Sequence, residues 1–95
     1  AAVSVTVQST TRAGYFPDST PITVKMIAER GTGRLLGVQL VGRAGSAKRI
    51  DACAVAVWNE MTVAELTGMD LGYAPPFSPV WDPVLVAARK AAAAV

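Results

Sequence analysis

The sequence predicts an α+β fold, an antiparallel sheet of three to five strands with helices packed on one of its faces. Three observations predict it. Apolar residues alternate with polar ones through the first half of the chain, a glycine-bearing reversal joins two of the alternating runs, and spacings of three and four take over afterwards. A run of strands followed by a run of helices segregates the helices to one side of the sheet.

In order, Ala1–Thr10 places Val3, Val5 and Val7 on one face and Ser4, Thr6 and Gln8 on the other, the mark of a strand with one buried face. Thr11–Pro21 carries Gly14, Pro17, Asp18 and Pro21 and is expected to be a loop. Ile22–Glu29 alternates again, with Ile22, Val24 and Met26 opposite Thr23 and Lys25. Arg30-Gly31-Thr32-Gly33 supplies the reversal, and Leu35–Gly42 returns as the second strand of a hairpin. From Ser46, a candidate N-cap, Ile50, Cys53, Ala54, Val57, Trp58 and Met61 form an apolar helical stripe. Lys48, Arg49, Asp51 and Glu60 fall mostly on the other side, and the stripe predicts Trp58 and Met61 in the core. Thr62 and Glu65 have capping-box spacing, so a short helix follows and ends near Gly68. Asp70–Val80 holds too many prolines for a helix interior. Asp82-Pro83 then sets an N-cap and a first-turn proline before an alanine-rich helix to Val95.

Ninety-five residues make one domain, spanning 1–95, with a modest core. Yet 52% of the residues are apolar, more than a core of this size is expected to absorb, and the excess suggests a covered face. The net charge is +2 and the basic residues are scattered, so no nucleic-acid partner is expected. The absence of histidine removes the usual zinc sites, imidazole bases and Ser-His-Asp triads, and no metal is expected. No apolar stretch reaches the roughly 18 residues that a membrane span needs. The one cysteine, Cys53, fits a reducing cytoplasm and lies on the apolar stripe, where a packing role is expected. The chain opens Ala1-Ala2 and is expected to be a piece of a longer protein.

Four motifs then stand in a recognisable order: Thr32-Gly33-Arg34-Leu35-Leu36-Gly37-Val38-Gln39-Leu40-Val41-Gly42, Lys48-Arg49-Ile50-Asp51, Met61-Thr62-Val63-Ala64-Glu65-Leu66, and Asp70 through Pro83 (DLGYAPPFSPVWDP). Together they resemble the C-terminal dimerisation domains of FAD- and NAD-linked pyridine nucleotide-disulfide oxidoreductases. The fourth is similar to the branch of coenzyme A-disulfide reductases, NADH oxidases and NADH peroxidases. The resemblance runs from about Val3 to Lys90.

The resemblance implies a cytoplasmic homodimeric flavoenzyme. Its FAD and NAD(P)H domains precede this one in the same polypeptide, and its redox-active cysteine lies outside this chain. The isolated domain is expected neither to bind FAD or NAD(P)H nor to catalyse. It implies that Tyr73, and Tyr15 in Arg12-Ala13-Gly14-Tyr15-Phe16-Pro17, act as catalytic phenols in the partner subunit's site. Tyr73 and Phe77 would lie near the partner's flavin, and Trp81, Lys48 and Arg49 are the substrate-binding candidates. A phenol suits that place because it can hydrogen-bond a thiolate or supply a proton. Trp81 departs from the polar or basic residue often found in relatives that bind coenzyme A. Arg49 has an alternative as one half of an interface ion pair. Coenzyme A disulfide is the leading substrate, with an NADH oxidase or persulfide reductase as the alternative. A self-standing α+β domain that binds a ligand or protein is the rival from another class, and it predicts a monomer.

Overall fold

The computed structural model describes residues 1–10, 21–42, 46–69 and 82–95. Three strands, β1 (Ala2–Thr10), β2 (Pro21–Glu29) and β3 (Leu35–Gly42), form an antiparallel meander in the order β1-β2-β3. Helices α1 (Ser46–Trp58), α2 (Val63–Thr67) and α3 (Pro83–Ala94) follow. Helix α1 packs on β3, while α3 packs on β1, β2 and α2. This is the α+β architecture that the alternation predicts.

The predicted faces hold on β1 and β2. Val5, Ile22, Val24, Met26 and Ala28 are buried, and Val3 and Val7 pack against the same cluster. Burying each larger aliphatic side chain contributes about 1.5–3 kcal/mol, which is what ties the alternating faces to the helices. Gly31 and Gly33 take φ of 92° and 75°, the left-handed region the reversal requires. Glu29 and Arg34 close the turn through a 2.8 Å bond from Glu29 N to Arg34 O.

On β3 the alternation breaks. Met26 pairs with Val38, yet Ala28 pairs with Leu35, so the two-residue step on β2 faces a three-residue step on β3. The extra residue is a β-bulge that reverses the parity of the strand. Leu35 is therefore buried, Leu36 is turned out, and Val38 and Leu40 face inward again. Ahead of β3, Arg34 forms an isolated antiparallel bridge with Thr62. Leu35 N donates to Met61 O and Val63 N to Gly33 O, both at 2.8 Å. The bridge is isolated, so among the described residues the sheet has three strands, the lower end of the expected three to five.

The expected caps form. Thr62 Oγ1 accepts from Glu65 N at 3.1 Å while Thr62 N donates to Glu65 Oε1 at 2.9 Å, completing the capping box that starts α2. Asp82 Oδ1 accepts from Val84 N at 2.9 Å and Pro83 opens α3.

Helix α1 corrects the sequence reading. Its inward side is Arg49, Cys53 and Ala56, all buried, whereas Trp58 is 86% exposed; Met61, beyond the helix end, is half-buried and packs against the core as expected. Ile50, Ala54, Val55 and Val57 also face outward. The reason is that Cys53–Trp58 (CAVAVW) is apolar on every side, so periodicity cannot choose a face. Small side chains win the inward side because they let the helix close on the sheet. Arg49, expected on the solvent side, goes with them.

Candidate functional site

Three chain segments meet the described fold at one end of the sandwich. The ends of β1 and β2 pair there as Thr10 with Pro21, β3 ends there with Gly42 opposite Ile22, and α1 starts soon afterwards at Ser46. Helix α3 points away from this end. Lys90 Nζ donates to Thr6 O at 3.2 Å partway down β1. Val95 reaches the opposite, hairpin end, where a Cβ added to Gly33 would stand 3.5 Å from Val95 Cγ2. Asp82, about 12 Å of helix before Lys90, therefore belongs to the first end.

At that end α1 and α3 are tied by a buried ion pair. Arg49 Nε donates to Asp82 Oδ2 at 3.1 Å, with the two side chains 2% and 5% exposed. Both oxygens of the carboxylate are engaged, one by the guanidinium of α1 and the other by the Val84 amide of its own helix. Cys53 lies one turn along α1 from Arg49. Burial, and then the negative charge of Asp82, push its thiol up from 9.0 to about 11. Near neutral pH it stays a thiol, which is the packing role expected of it and not that of a reactive thiolate.

Of the predicted site residues, Tyr15, Tyr73, Phe77 and Trp81 lie outside the described residues, as does the side chain of Lys48. What is described are the anchors of their segments. Residues 11–20 are bounded by Thr10 and Pro21 and Lys48 lies in the first turn of α1, both at this end, whereas residues 70–81 leave the described fold at Met69, after α2, and rejoin it here at Asp82. Arg49, a substrate-binding candidate by sequence, has its guanidinium committed to Asp82 inside the chain. Asp82 was legible in the sequence only as a helix cap. Its partner stands 33 residues away, and no local spacing signals such a pairing.

Among the described residues no group of His, Cys, Asp and Glu could hold a metal, and no helix is long and apolar enough to cross a membrane. The positive-φ glycines do not form a phosphate cradle, because Gly33 N is spent on Glu29 O at 2.8 Å and Gly33 O on Val63 N.

Comparison with known proteins agrees with this frame. Residues 1–83 match the family described as pyridine nucleotide-disulphide oxidoreductase, dimerisation domain. The chain is 45% identical over 83 residues to an NAD(P)H sulfur oxidoreductase (CoA-dependent) of Pyrococcus abyssi, covering 87% of this chain and 18% of that protein. It is 34% identical over 87 residues to a coenzyme A disulfide reductase of Staphylococcus epidermidis, covering 92% of this chain and 20% of that one. The solved structure of an NAD-dependent persulfide reductase from A. fulgidus superposes with a TM-score of 0.93 at 41% identity, over 97% of this chain and 17% of that one. The chain thus spans a fifth or less of the length of these relatives. With the family match covering most of the chain and the fold superposing so closely, the chain belongs to the dimerisation domains of the pyridine nucleotide-disulfide oxidoreductases.

Proposed function

We propose that this chain is the homodimerisation and shared-site module of an FAD-dependent NAD(P)H:disulfide oxidoreductase of the cytoplasm. Coenzyme A disulfide, or a related low-molecular-weight disulfide, is its substrate. The reading is carried by the family match over residues 1–83, and it is supported by the meeting, at one end of the sandwich, of both anchors of the segment bearing Tyr15 with Asp82, where the segment bearing Tyr73 and Phe77 rejoins the fold. A two-fold contact that places this end against the partner presents both phenols to one site.

FAD and NAD(P)H are held by preceding domains of the same polypeptide, a reading supported by the family match and by the fifth or less of its relatives' length that the chain spans. A flavin held there would supply the route by which NAD(P)H and one proton reduce the disulfide to two thiols, leaving NAD(P)+. Within that scheme Tyr73 and Tyr15 hydrogen-bond the departing thiolate or supply its proton, and Phe77 packs near the partner's flavin. Trp81 and Lys48 border the substrate.

The outer face of α1 supports the second copy as the partner. Ile50, Val55, Val57 and Trp58 form an exposed apolar surface on a helix whose opposite side already fills the core. Such a surface needs a cover in water. It also accounts for the excess of apolar residues in the composition.

The test is Tyr73→Phe in the full-length enzyme, followed by steady-state kinetics and light scattering. Disulfide reduction should slow by about 10-fold or more, in the range of a lost proton donor, while the mass stays that of a dimer. Unchanged turnover removes the role of the phenol, and a monomeric wild-type enzyme removes the shared site. NADH oxidation in coenzyme A-free buffer, at a rate above that with coenzyme A disulfide, would instead mark an oxidase.

A further inference from the structure

We propose that the outer edge of β1 is a pairing surface for β1 of a second copy, and that Lys90 of α3 holds it closed. The inference stands apart from the shared site and from the face that forms the family's dimer.

Among the described residues β1 has one neighbouring strand, β2. Its register against β2 runs from Ala2 to Thr10 without a shift, so no bulge bends it. In an antiparallel pair, alternate residues turn their N–H and C=O groups to the neighbour and the others turn them away. Ala1 O accepts from Arg30 N at 3.0 Å, which gives the odd-numbered residues of β1 to β2. Ser4, Thr6 and Gln8 therefore direct their main-chain groups to the outer side, along about 14 Å of edge. The bond from Lys90 Nζ to Thr6 O, at 3.2 Å, agrees with this parity, since it comes from α3 and not from β2.

Edge strands are ordinarily blunted by charge, proline, a bulge or shortness. Ala2–Thr10 (AVSVTVQST) is 9 residues long and holds no charged residue and no proline. Lys25, exposed and opposite Thr6, belongs to β2 and lies one strand in from the edge. The strand also complements itself. An antiparallel pair centred on Thr6 sets Thr6 against Thr6, Ser4 against Gln8 and Val5 against Val7, so polar side chains meet polar ones and valines meet valines. The same register joins the main-chain groups that face outward on both copies. An uncharged run rich in β-branched residues is the composition that adds a strand most readily. Lys90 stands at the centre of this register. Its ammonium occupies Thr6 O, which an incoming strand needs, and pairing would bring two such ammonium groups together.

The test is Lys90→Met in the full-length protein, followed by light scattering and thermal unfolding. The variant should melt within a few degrees of the wild type, because the side chain is exposed. Its mass should rise at least about twofold over that of the wild type at the same concentration, as edges pair. Lys90→Arg keeps a cation and its donors at the edge and should keep the wild-type mass. Adding Ser4→Pro to Lys90→Met should restore that mass, since the N–H it removes faces outward and the ladder between β1 and β2 is kept. Ser4→Lys does the same by charge where the proline variant does not fold. Wild-type mass in Lys90→Met would overturn the role of the lysine. Association that neither Ser4 variant reverses would overturn the edge of β1 as its seat.

Discussion

Glu60 offers a stability gain that can be worked out from the backbone. It is the described non-glycine residue with positive φ, at 55°. It follows α1, where Glu60 N donates to Val57 O at 3.1 Å and Met61 N to Ala56 O at 3.0 Å. These two bonds make a Schellman motif whose left-handed position is ordinarily glycine. An L-residue in that conformation costs about 1–2 kcal/mol, and glycine returns about 0.4–1 kcal/mol of this through its freer unfolded state. The ion pair of Glu60 with Arg34 is long at 3.9 Å and its side chains are 44% and 74% exposed, so losing it costs at most about 0.5 kcal/mol. Glu60→Gly should therefore stabilise the domain by about 0.5 kcal/mol, or about 2–4 °C in Tm for a chain of this size. Urea and thermal unfolding read the change. Glu60→Ala is the control, because alanine keeps the left-handed penalty and loses the ion pair, so no gain is expected from it. A gain from alanine equal to that from glycine would refute the conformational argument, as would a neutral Glu60→Gly.

Two further outcomes follow from side-chain placement. Trp58 is 86% exposed on the apolar outer side of α1, so Trp58→Glu should leave the fold of one subunit intact while raising the dimer dissociation constant at least about tenfold, as for a central aromatic anchor. Sedimentation at falling concentration measures this, and an unchanged dimer would move the contact to another face. Cys53 has its thiol raised from 9.0 to about 11, so the folded chain holds that proton more tightly than the unfolded chain does. Its stabilisation is complete below pH 9 and is lost as pH rises through 11, by up to about 3 kcal/mol. Cys53→Ala should lower stability overall but remove that part of the alkaline slope, and an identical slope in both proteins would refute the assignment.

Legibility followed the range over which each signal acts. The faces of β1 and β2, the turn at Gly31 and Gly33, the Thr62–Glu65 capping box and the Asp82-Pro83 helix start are encoded within a few residues, and all are present. The bulge at Leu36 could not be read from Leu35–Gly42 (LLGVQLVG), because register is a property of two strands. It arises where Leu35 must turn inward next to the Met61–Val63 stretch while Val38 keeps its place opposite Met26. The buried side of α1 was hidden by a segment apolar all round. The left-handed Glu60 was hidden because the sequence signal for that conformation is glycine. Within the site, the four aromatic residues came from resemblance alone, and the Arg49–Asp82 tie from neither source, since it joins residues 33 apart.

The two ends of the sandwich are held by different chemistry, and this division fits a module that must present side chains to a partner. At the hairpin end, backbone bonds join Leu35 to Met61 and Val63 to Gly33, and Val95 closes over Gly33. These contacts combine backbone hydrogen bonds with apolar packing. At the other end a single carboxylate, held by an amide and a guanidinium, joins α1 to α3. Hydrophobic burial suffices to keep helices on a sheet, but it does not place a side chain to within the fraction of an ångström that proton transfer needs. The charged contact is directional and sets α1 against α3, so its loss should loosen that end while the hairpin end keeps its backbone bonds.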